Sequence, residues 1–310
     1  MKATTPLIVI VSILLLVGCA EREKLPTKAT PFIGGTTGVL IDFMEDSPPP
    51  EALDGGDFPF DVVVKLKNDG EYTVPKEDVE VRISGIRAEE FDLSESDLVK
   101  NPEEDLIAME KDAEGNIRES TPVYVEFNGF NHVEELAGNT EFTFRADVCY
   151  VYQTKATAQI CVRKDNLETE EGVCEVNEEK TVYNSGAPVQ VVSFRETPRA
   201  KNKVAFTFEI QHKGNGNIYK KETRCDSART NEDKVYVKVE TNINGNLECS
   251  GLREGDATEG FATLYGGKKI ITCTQEVNTE SDYETPVDIT ITYDYKDNTE
   301  TTVLVKHSPE

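Results

Sequence analysis

The sequence has 310 residues, with 33 Lys and Arg against 58 Asp and Glu, so its formal net charge is −25. This charge argues against nucleic acid as a partner, because affinity for nucleic acid comes mainly from Lys and Arg at phosphates. It also argues against docking onto anionic lipid through a basic face. Hydrophobic residues make up 37% of the chain, enough for packed cores and too many for wholesale disorder. The length allows about two domains.

Residues 1–19 have the organisation of a signal peptide. Lys2 precedes an apolar run of 12 residues, Pro6 to Val17, which is shorter than the ~20 residues that a membrane-spanning helix needs. The run ends in Leu16-Val17-Gly18-Cys19, which resembles the lipobox of prokaryotic lipoproteins. That resemblance implies cleavage before Cys19 and attachment of lipid to it. An ordinary signal peptide with a chance cysteine, or an uncleaved short anchor, remains an alternative.

Lipid on Cys19 would place the protein outside the cytoplasm, on the outer face of the membrane. Each buried CH₂ contributes ~0.8 kcal/mol, so two or more acyl or isoprenoid chains anchor a protein stably. Residues 20–35 are polar and contain Pro26 and Pro31. We expect them to form a tether between the anchor and the folded part.

Six cysteines follow Cys19, and an even number in an exported chain favours three disulfides. They are Cys149, Cys161, Cys174, Cys225, Cys249 and Cys273. Cys149 and Cys161 lie symmetrically about Lys155, on two strands that we predict to form a hairpin. On that hairpin they would be cross-strand neighbours, close enough for a disulfide.

The four remaining cysteines give two weaker expectations. Cys249 and Cys273 are each in phase with a nearby strand residue, which favours pairing them with each other. Cys174 and Cys225 are then left, and their disulfide would tie two domains together. Zinc ligation is disfavoured, because structural zinc sites have closely spaced cysteine pairs and no histidine lies near any cysteine.

Alternation of apolar and polar residues predicts strands through most of the chain. The clearest alternations cover residues 62–66, 79–83, 123–127, 142–150, 158–162, 204–210, 235–239, 261–265, 270–273 and 287–295. A turn at Asp297-Asn298 would lead to a last strand at Val303 and Val305. Many short strands with frequent turns and no long helix favour antiparallel β-sandwiches. The fold class that we predict is all-β, with two immunoglobulin-like sandwich domains.

A weak internal repeat supports two domains of similar fold. Residues 62–71 resemble residues 204–217, and residues 77–83 resemble residues 232–239. The shared pattern is a strand, an Asn-Gly turn, an acidic entry and a second strand. The predicted units are domain 1 at 36–165 with an acidic loop insertion at 91–112, a junction at 166–188, and domain 2 at 189–310.

The apolar strand, the run K-N-D-G at 67–70 and the following V-x-V-x-I strand resemble the start of CARDB-type domains. These are cell-adhesion-related, immunoglobulin-like sandwiches of bacteria and archaea. The match is best over residues 60–86 and fainter over 204–240. The run C-Y-x-Y-Q-T at Cys149–Thr154 is also similar to segments of archaeal surface proteins. The resemblance implies an extracellular immunoglobulin-like module and supplies no catalytic residues.

Common catalytic motifs are absent from the sequence. It contains no H-E-x-x-H, no G-x-S-x-G and no G-x-x-x-x-G-K-[ST]. The histidines, His132, His212 and His307, stand in three separate segments. A catalytic triad does not depend on sequence order, but a structural role for these histidines is the simpler reading.

Two further groups of side chains are candidates for binding. Asp54, Asp57 and Asp61 on a Gly-rich loop are weak calcium candidates, because calcium prefers several oxygen ligands on a flexible loop. A solvated acidic face is the simpler interpretation of these carboxylates. Tyr150, Tyr152 and the later tyrosines could line a surface for carbohydrate or a partner, although their strand phase favours core filling.

The sequence therefore predicts a non-catalytic, lipid-anchored surface protein that acts as a binding, adhesion or scaffold module. Its expected partners are the membrane, through the lipid, and another surface protein or a glycan; no cofactor is expected. One alternative is a subunit of a surface or pilus-like assembly, held by an exposed strand edge. Another is a secreted hydrolase with dispersed carboxylates.

Overall fold

The structure, a computed structural model, describes residues 30–168 and 172–307. The predicted signal peptide, Cys19 and the first part of the tether lie outside these residues. Within them there is no α-helix, only two short 3₁₀ helices at Lys76–Asp78 and Ala88–Phe91. The strands in chain order are β1 (Val39–Phe43), β2 (Glu51–Leu53), β3 (Phe60–Asn68), β4 (Val79–Ser84), β5 (Val99–Lys100), β6 (Glu110–Lys111), β7 (Ile117–Arg118), β8 (Val123–Phe130), β9 (Thr140–Val162), β10 (Val182–Asn184), β11 (Val189–Ala200), β12 (Lys203–His212), β13 (Asn217–Tyr219), β14 (Lys234–Thr241), β15 (Leu247–Ser250), β16 (Glu259–Thr263), β17 (Lys268–Glu276) and β18 (Tyr283–Lys306).

Two long strands, β9 and β18, form the centre of the molecule. They pair antiparallel from Tyr283 opposite Val162 to Val305 opposite Thr140. Around them lies a nine-stranded sheet whose main order is β16-β14-β18-β9-β4-β5. The short strands β10, β13 and β2 pair at its margins. Two smaller sheets, β1-β3-β8 and β11-β12-β17-β15, complete the main framework, and β6 pairs with β7 apart from them.

Each smaller sheet packs against one half of the large sheet, so the all-β sandwich prediction is confirmed. The ring of Phe144 on β9 lies 6.1 Å from that of Phe60 and 5.7 Å from that of Phe130, centroid to centroid. Further along β9, the Thr154 hydroxyl donates to the Val189 carbonyl of β11 at 2.7 Å. These contacts join the large sheet to both smaller sheets, β1-β3-β8 and β11-β12-β17-β15, which we call the covering sheets.

The predicted hairpin about Lys155 is wrong, because β9 is one continuous strand of 23 residues. The predicted turn at Asp297-Asn298 is also wrong, since β18 passes through both residues without interruption. Alternation has the same period in a hairpin and in a straight strand. Each strand is supported by the other along its whole length, and this pairing overrides the turn preference of Asp and Asn.

The nine-stranded sheet takes strands from both halves of the chain. Residues 296–305 of β18 pair with residues 140–149, in the first half of β9. The strand β10 lies inside the predicted junction 166–188 and pairs with β9. The predicted boundary therefore falls between strands of one continuous sheet. The predicted acidic insertion 91–112 also contributes buried side chains to the core, namely Phe91, Leu98 and Leu106.

The strand pattern has an internal two-fold relationship about the contact between β9 and β18. On one side β4 pairs with β9, and on the other β14 pairs with β18. The central strands of the covering sheets, β3 and β12, are the strands of the first repeated segment, while β4 and β14 are those of the second. A half-turn about this axis exchanges the pair Tyr150–Tyr295 with the pair Tyr293–Tyr152.

Candidate functional site

Three disulfides join all six cysteines of the described residues. They are Cys149–Cys225, Cys161–Cys174 and Cys249–Cys273. The expected Cys249–Cys273 disulfide is confirmed, and these residues are directly opposite each other on β15 and β17.

The expected disulfides Cys149–Cys161 and Cys174–Cys225 are wrong. Without a hairpin, Cys149 and Cys161 lie on the same extended strand. Twelve residues of strand separate them by about 40 Å at the usual rise, far beyond the reach of a disulfide. Cys149 instead binds Cys225 across the two halves of the chain, and Cys161 closes a local loop to Cys174.

Four buried tyrosines lie at the middle of the long strands, where the two sandwiches meet. Their ring centroids are 5.7 Å apart for Tyr150 and Tyr295 and 6.5 Å apart for Tyr152 and Tyr293. Each is at most 2% exposed, so these rings fill the core. We call this group of Tyr150, Tyr152, Tyr293 and Tyr295 the tyrosine cluster.

The hydroxyl groups of the cluster bind backbone from both covering sheets. Tyr293 accepts the N–H of Val189 at 3.3 Å and shares a hydrogen bond with the Thr154 hydroxyl at 3.1 Å. Tyr150 accepts the N–H of Val39 at 3.2 Å. Val39 begins β1 and Val189 begins β11, so each covering sheet is tied to the shared sheet at its first strand.

The other two hydroxyls bind the ends of β3 and β12. Tyr152 donates to the Asn68 carboxamide oxygen at 3.1 Å. Tyr295 lies 3.0 Å from Nε2 of His212 and accepts the N–H of Gly216 at 2.8 Å. Burial lowers the pKa of His212 and raises the pKa of Tyr295. At neutral pH the phenol is therefore protonated and the imidazole is neutral, so the contact is a hydrogen bond between two uncharged groups.

A cavity of about 320 Å³ opens beside Tyr150 and Tyr295. We call it the joint cavity, because its walls come from both sandwiches. It is lined by Thr36, Thr37, Gly38, Val39, Leu40, Ile41, Tyr150, Pro188, Lys213, Gly214, Asn215, Tyr295, Asp297 and Asn298. Gly38 permits the close approach of backbone, since a Cβ there would lie 3.0 Å from the Tyr150 hydroxyl. The volume is at the lower end of the range for ligand clefts.

A second cleft, of about 230 Å³, lies on the opposite face of the long strands, next to Cys149. Asp294 is a buried residue of this cleft, and its carboxylate accepts backbone N–H groups of Glu222, Thr223 and Cys225. Burial raises the pKa of Asp294 against the opposing effect of these hydrogen bonds. This carboxylate thus holds the loop that carries Cys225.

Glu71 clamps the end of the predicted tether to the body. Its Oε1 accepts the N–H of Ile33, and its Oε2 accepts those of Gly34 and Gly186, at 2.9, 2.9 and 2.6 Å. Sequence reasoning missed this residue, because its partners are backbone groups that only the fold brings together. Residues 33 and 34 are therefore bound at the joint between the sandwiches.

The three calcium candidates bind other groups. Asp54 accepts the N–H of Leu136 at 2.7 Å and lies 2.9 Å from Nδ1 of His307. Asp61 accepts the N–H of Gly129 at 3.0 Å, and Asp57 is exposed to solvent. Within 30–168 and 172–307, no three His, Cys, Asp or Glu residues are grouped to hold a metal ion.

A buried carboxyl group stands apart from this joint. Glu196 on β11 is fully buried and accepts the N–H of Cys161 at 2.9 Å through Oε2, which lies 3.4 Å from the Lys180 ammonium. Its Oε1 has no hydrogen-bond partner among the described residues. Burial raises the pKa of Glu196 to about 8, because the nearby N–H and ammonium only partly offset the loss of hydration.

No protein-family model matches the chain, and a search of curated proteins finds no match. The resemblance to CARDB-type domains therefore stays a prediction. In the part of the chain that the structure describes, none of the helices is long and apolar enough to cross a membrane.

Proposed function

We propose that the protein is a non-catalytic, lipid-anchored module on the outer face of the cell membrane, where it acts as a binding or scaffold protein. The observation that carries this proposal is the pairing of the cysteines. All six cysteines of the described residues form disulfides, which fit an oxidising environment outside the cytoplasm. None of the six is left as a partner for Cys19, whose neighbours resemble a lipobox.

The shared strands suit a scaffold. At the usual rise, the 23 residues of β9 extend over about 75 Å, and β18 stiffens them by pairing along their length. Glu71 holds Ile33 and Gly34 near the middle of this span. A lipid on Cys19 would therefore attach the body near the joint, and the net charge of −25 would keep it from adhering to anionic lipid.

Membrane fractionation of the full chain tests the anchor. We expect wild-type protein to sediment with membranes and to be released only by detergent. The N-terminal peptide should begin at Cys19 and carry the added mass of its lipid. Cys19→Ser should lack that mass, while Ala20→Ser, which introduces the same side chain one residue later, should retain it. An unmodified Cys19 in wild-type protein would overturn the proposal.

A further inference from the structure

The internal two-fold relationship allows the surroundings of Tyr150 to be compared with those of Tyr293. Both hydroxyls accept a backbone N–H from the first residue of a covering strand. Tyr293 also has Thr154 beside it, so both its lone pair and its proton have partners. Tyr150 is 1% exposed, and no residue in the described part of the chain accepts its proton. A buried donor without an acceptor costs about 1–3 kcal/mol.

The two-fold relationship also shows which residue takes the place of Thr154 near Tyr150. The half-turn that exchanges Tyr152 with Tyr295 also places Thr154 in correspondence with Asp297, two residues further along each strand. Thr154 binds Tyr293, whereas Asp297 lines the joint cavity. The Tyr150 hydroxyl lies against Gly38 and Val39, which line the same cavity. The unused donor of Tyr150 therefore belongs to the cavity wall.

The two-fold relationship also relates Glu71 to Asn215, and these two residues differ in chemistry. Asn68 and His212 both contact a tyrosine of the cluster from the end of a strand. Three residues further along lie Glu71 and Asn215 respectively. The Glu71 carboxylate accepts three backbone N–H groups. Asn215 is an exposed amide in the wall of the joint cavity, and it brings no carboxylate to that wall.

Two hydrogen-bond donors in the wall of the joint cavity lack a partner among the described residues. They are the Tyr150 hydroxyl, which only accepts the N–H of Val39, and the exposed ammonium of Lys213, which makes no ion pair there. Asp297 and Asn298 also line the cavity and offer acceptor oxygens. A ligand that satisfies both sets needs a carboxylate for the donors and hydroxyl groups for the acceptors.

We propose that the joint cavity binds a hydroxylated carboxylate of the sugar-acid class, with its carboxylate at Tyr150 and Lys213 and its hydroxyl groups at Asp297 and Asn298. This proposal rests on the proposed binding function and names its ligand class. The net charge of −25 does not oppose it at short range, because salt screens charges beyond about 8 Å at physiological ionic strength. The Lys213 ammonium and the Tyr150 hydroxyl, which are close to the bound carboxylate, then determine the affinity.

Three probes separate the parts of this proposal. The full chain is reconstituted in lipid nanodiscs, which avoids detergents with sugar headgroups, and binding is measured by saturation-transfer NMR and calorimetry. Sodium glucuronate carries the carboxylate and the hydroxyl groups, glucose lacks the carboxylate, and acetate lacks the hydroxyl groups. We expect glucuronate to bind at least tenfold more tightly than either of the others.

Matched variants locate the site. Tyr150→Phe should weaken glucuronate binding about tenfold, because it removes the donor and keeps the ring. Tyr152→Phe removes an equally buried hydroxyl that lies outside the cavity wall, and it should leave the affinity within about twofold. Lys213→Ala changes an exposed side chain, so it tests the site independently of any folding defect in Tyr150→Phe. It should weaken binding by a similar factor.

Four results would overturn the proposal: no binding of glucuronate, glucose binding as tightly as glucuronate, acetate binding as tightly as glucuronate, or unchanged affinity in both Tyr150→Phe and Lys213→Ala. Fractionation of the Cys19 variant tests the membrane anchor separately. Failure of the anchor and failure of the sugar-acid site are therefore distinguishable.

Discussion

Tyr150 and Tyr293 are equivalent residues on the two long strands, and the phenol oxygen of each accepts an N–H from the first residue of a covering strand. The two sandwiches are thus held to one shared sheet by the same contact, made twice. The equivalence ends at the next hydrogen bond, since only Tyr293 has the Thr154 hydroxyl as a further partner.

This asymmetry predicts different costs for the same substitution. Tyr293→Phe removes two buried hydrogen bonds and leaves Val189 N–H without its acceptor, so it should lower the free energy of unfolding by about 2–3 kcal/mol. Tyr150→Phe removes one bond and leaves the Val39 N–H without its acceptor, but it also removes an unsatisfied buried donor, so it should cost only about 1 kcal/mol. Urea unfolding measures both. Equal costs would contradict the difference between the two surroundings.

The Glu71 clamp predicts a local effect of substitution. Glu71→Ala should speed hydrogen exchange at the amides of Ile33, Gly34 and Gly186, because each donates to that carboxylate. Charge-assisted hydrogen bonds contribute about 1.5–3 kcal/mol each, so protection should fall by at least tenfold. Glu77→Ala, on an exposed position, is the control. Unchanged protection in Glu71→Ala would show that other contacts hold this segment.

The disulfides should differ in their contribution to stability. Cys149 and Cys225 are 76 residues apart in sequence, and Cys249 and Cys273 are 24 apart. In the chain-entropy account, the longer loop gives about 1 kcal/mol more stabilisation. Replacing both cysteines of each pair by serine and comparing urea midpoints tests this. A smaller loss from the 149–225 pair would mean that native contacts, not loop closure, dominate.

Glu196 predicts a pH dependence of stability. Its pKa is about 8 in the folded protein against an ordinary value of 4.5, so the folded state holds this proton more tightly than the unfolded state. The contribution is complete below pH 4.5 and is lost as the pH rises towards 8, by about 1.4 kcal/mol per pH unit for one proton.

Glu196→Gln should remove this slope between pH 4.5 and 8, while Glu179→Gln, at an exposed position nearby, should keep it. Urea unfolding at several pH values gives the comparison. A wild-type protein whose stability rises relative to Glu196→Gln over this window would contradict the assignment, since Glu196 would then be stabilised as a carboxylate.

The sequence predicts the fold class well, because alternation with period 2 is a local signal that the side chains carry themselves. It places most strands, and its weak repeat marks strands that prove equivalent. The lengths of β9 and β18 could not be predicted from the sequence. Nothing local at Lys155 or Asp297 distinguishes a turn from a continuing strand, because the deciding factor is the partner strand more than 130 residues away.

The disulfide pairing and the joint follow from that same long-range contact. Once β9 is straight, Cys149 can no longer reach Cys161, and its partner is set by the loop that crosses β18. The Y-x-Y segments at 150–152 and 293–295 were visible in the sequence as apolar-phase residues. Their meeting at one axis, and the role of Glu71, required the register of the two strands.

Peptide mapping of the purified protein without reduction tests the account most directly. We predict cross-linked peptides that contain Cys149–Cys225, Cys161–Cys174 and Cys249–Cys273, together with an N-terminal peptide that carries lipid on Cys19. The first cross-link fits the straight strand β9, on which Cys149 cannot reach Cys161, and the lipid requires export. A Cys149–Cys161 cross-link would contradict the shared long strands, and free thiols with an intact Met1 would contradict the location outside the cytoplasm.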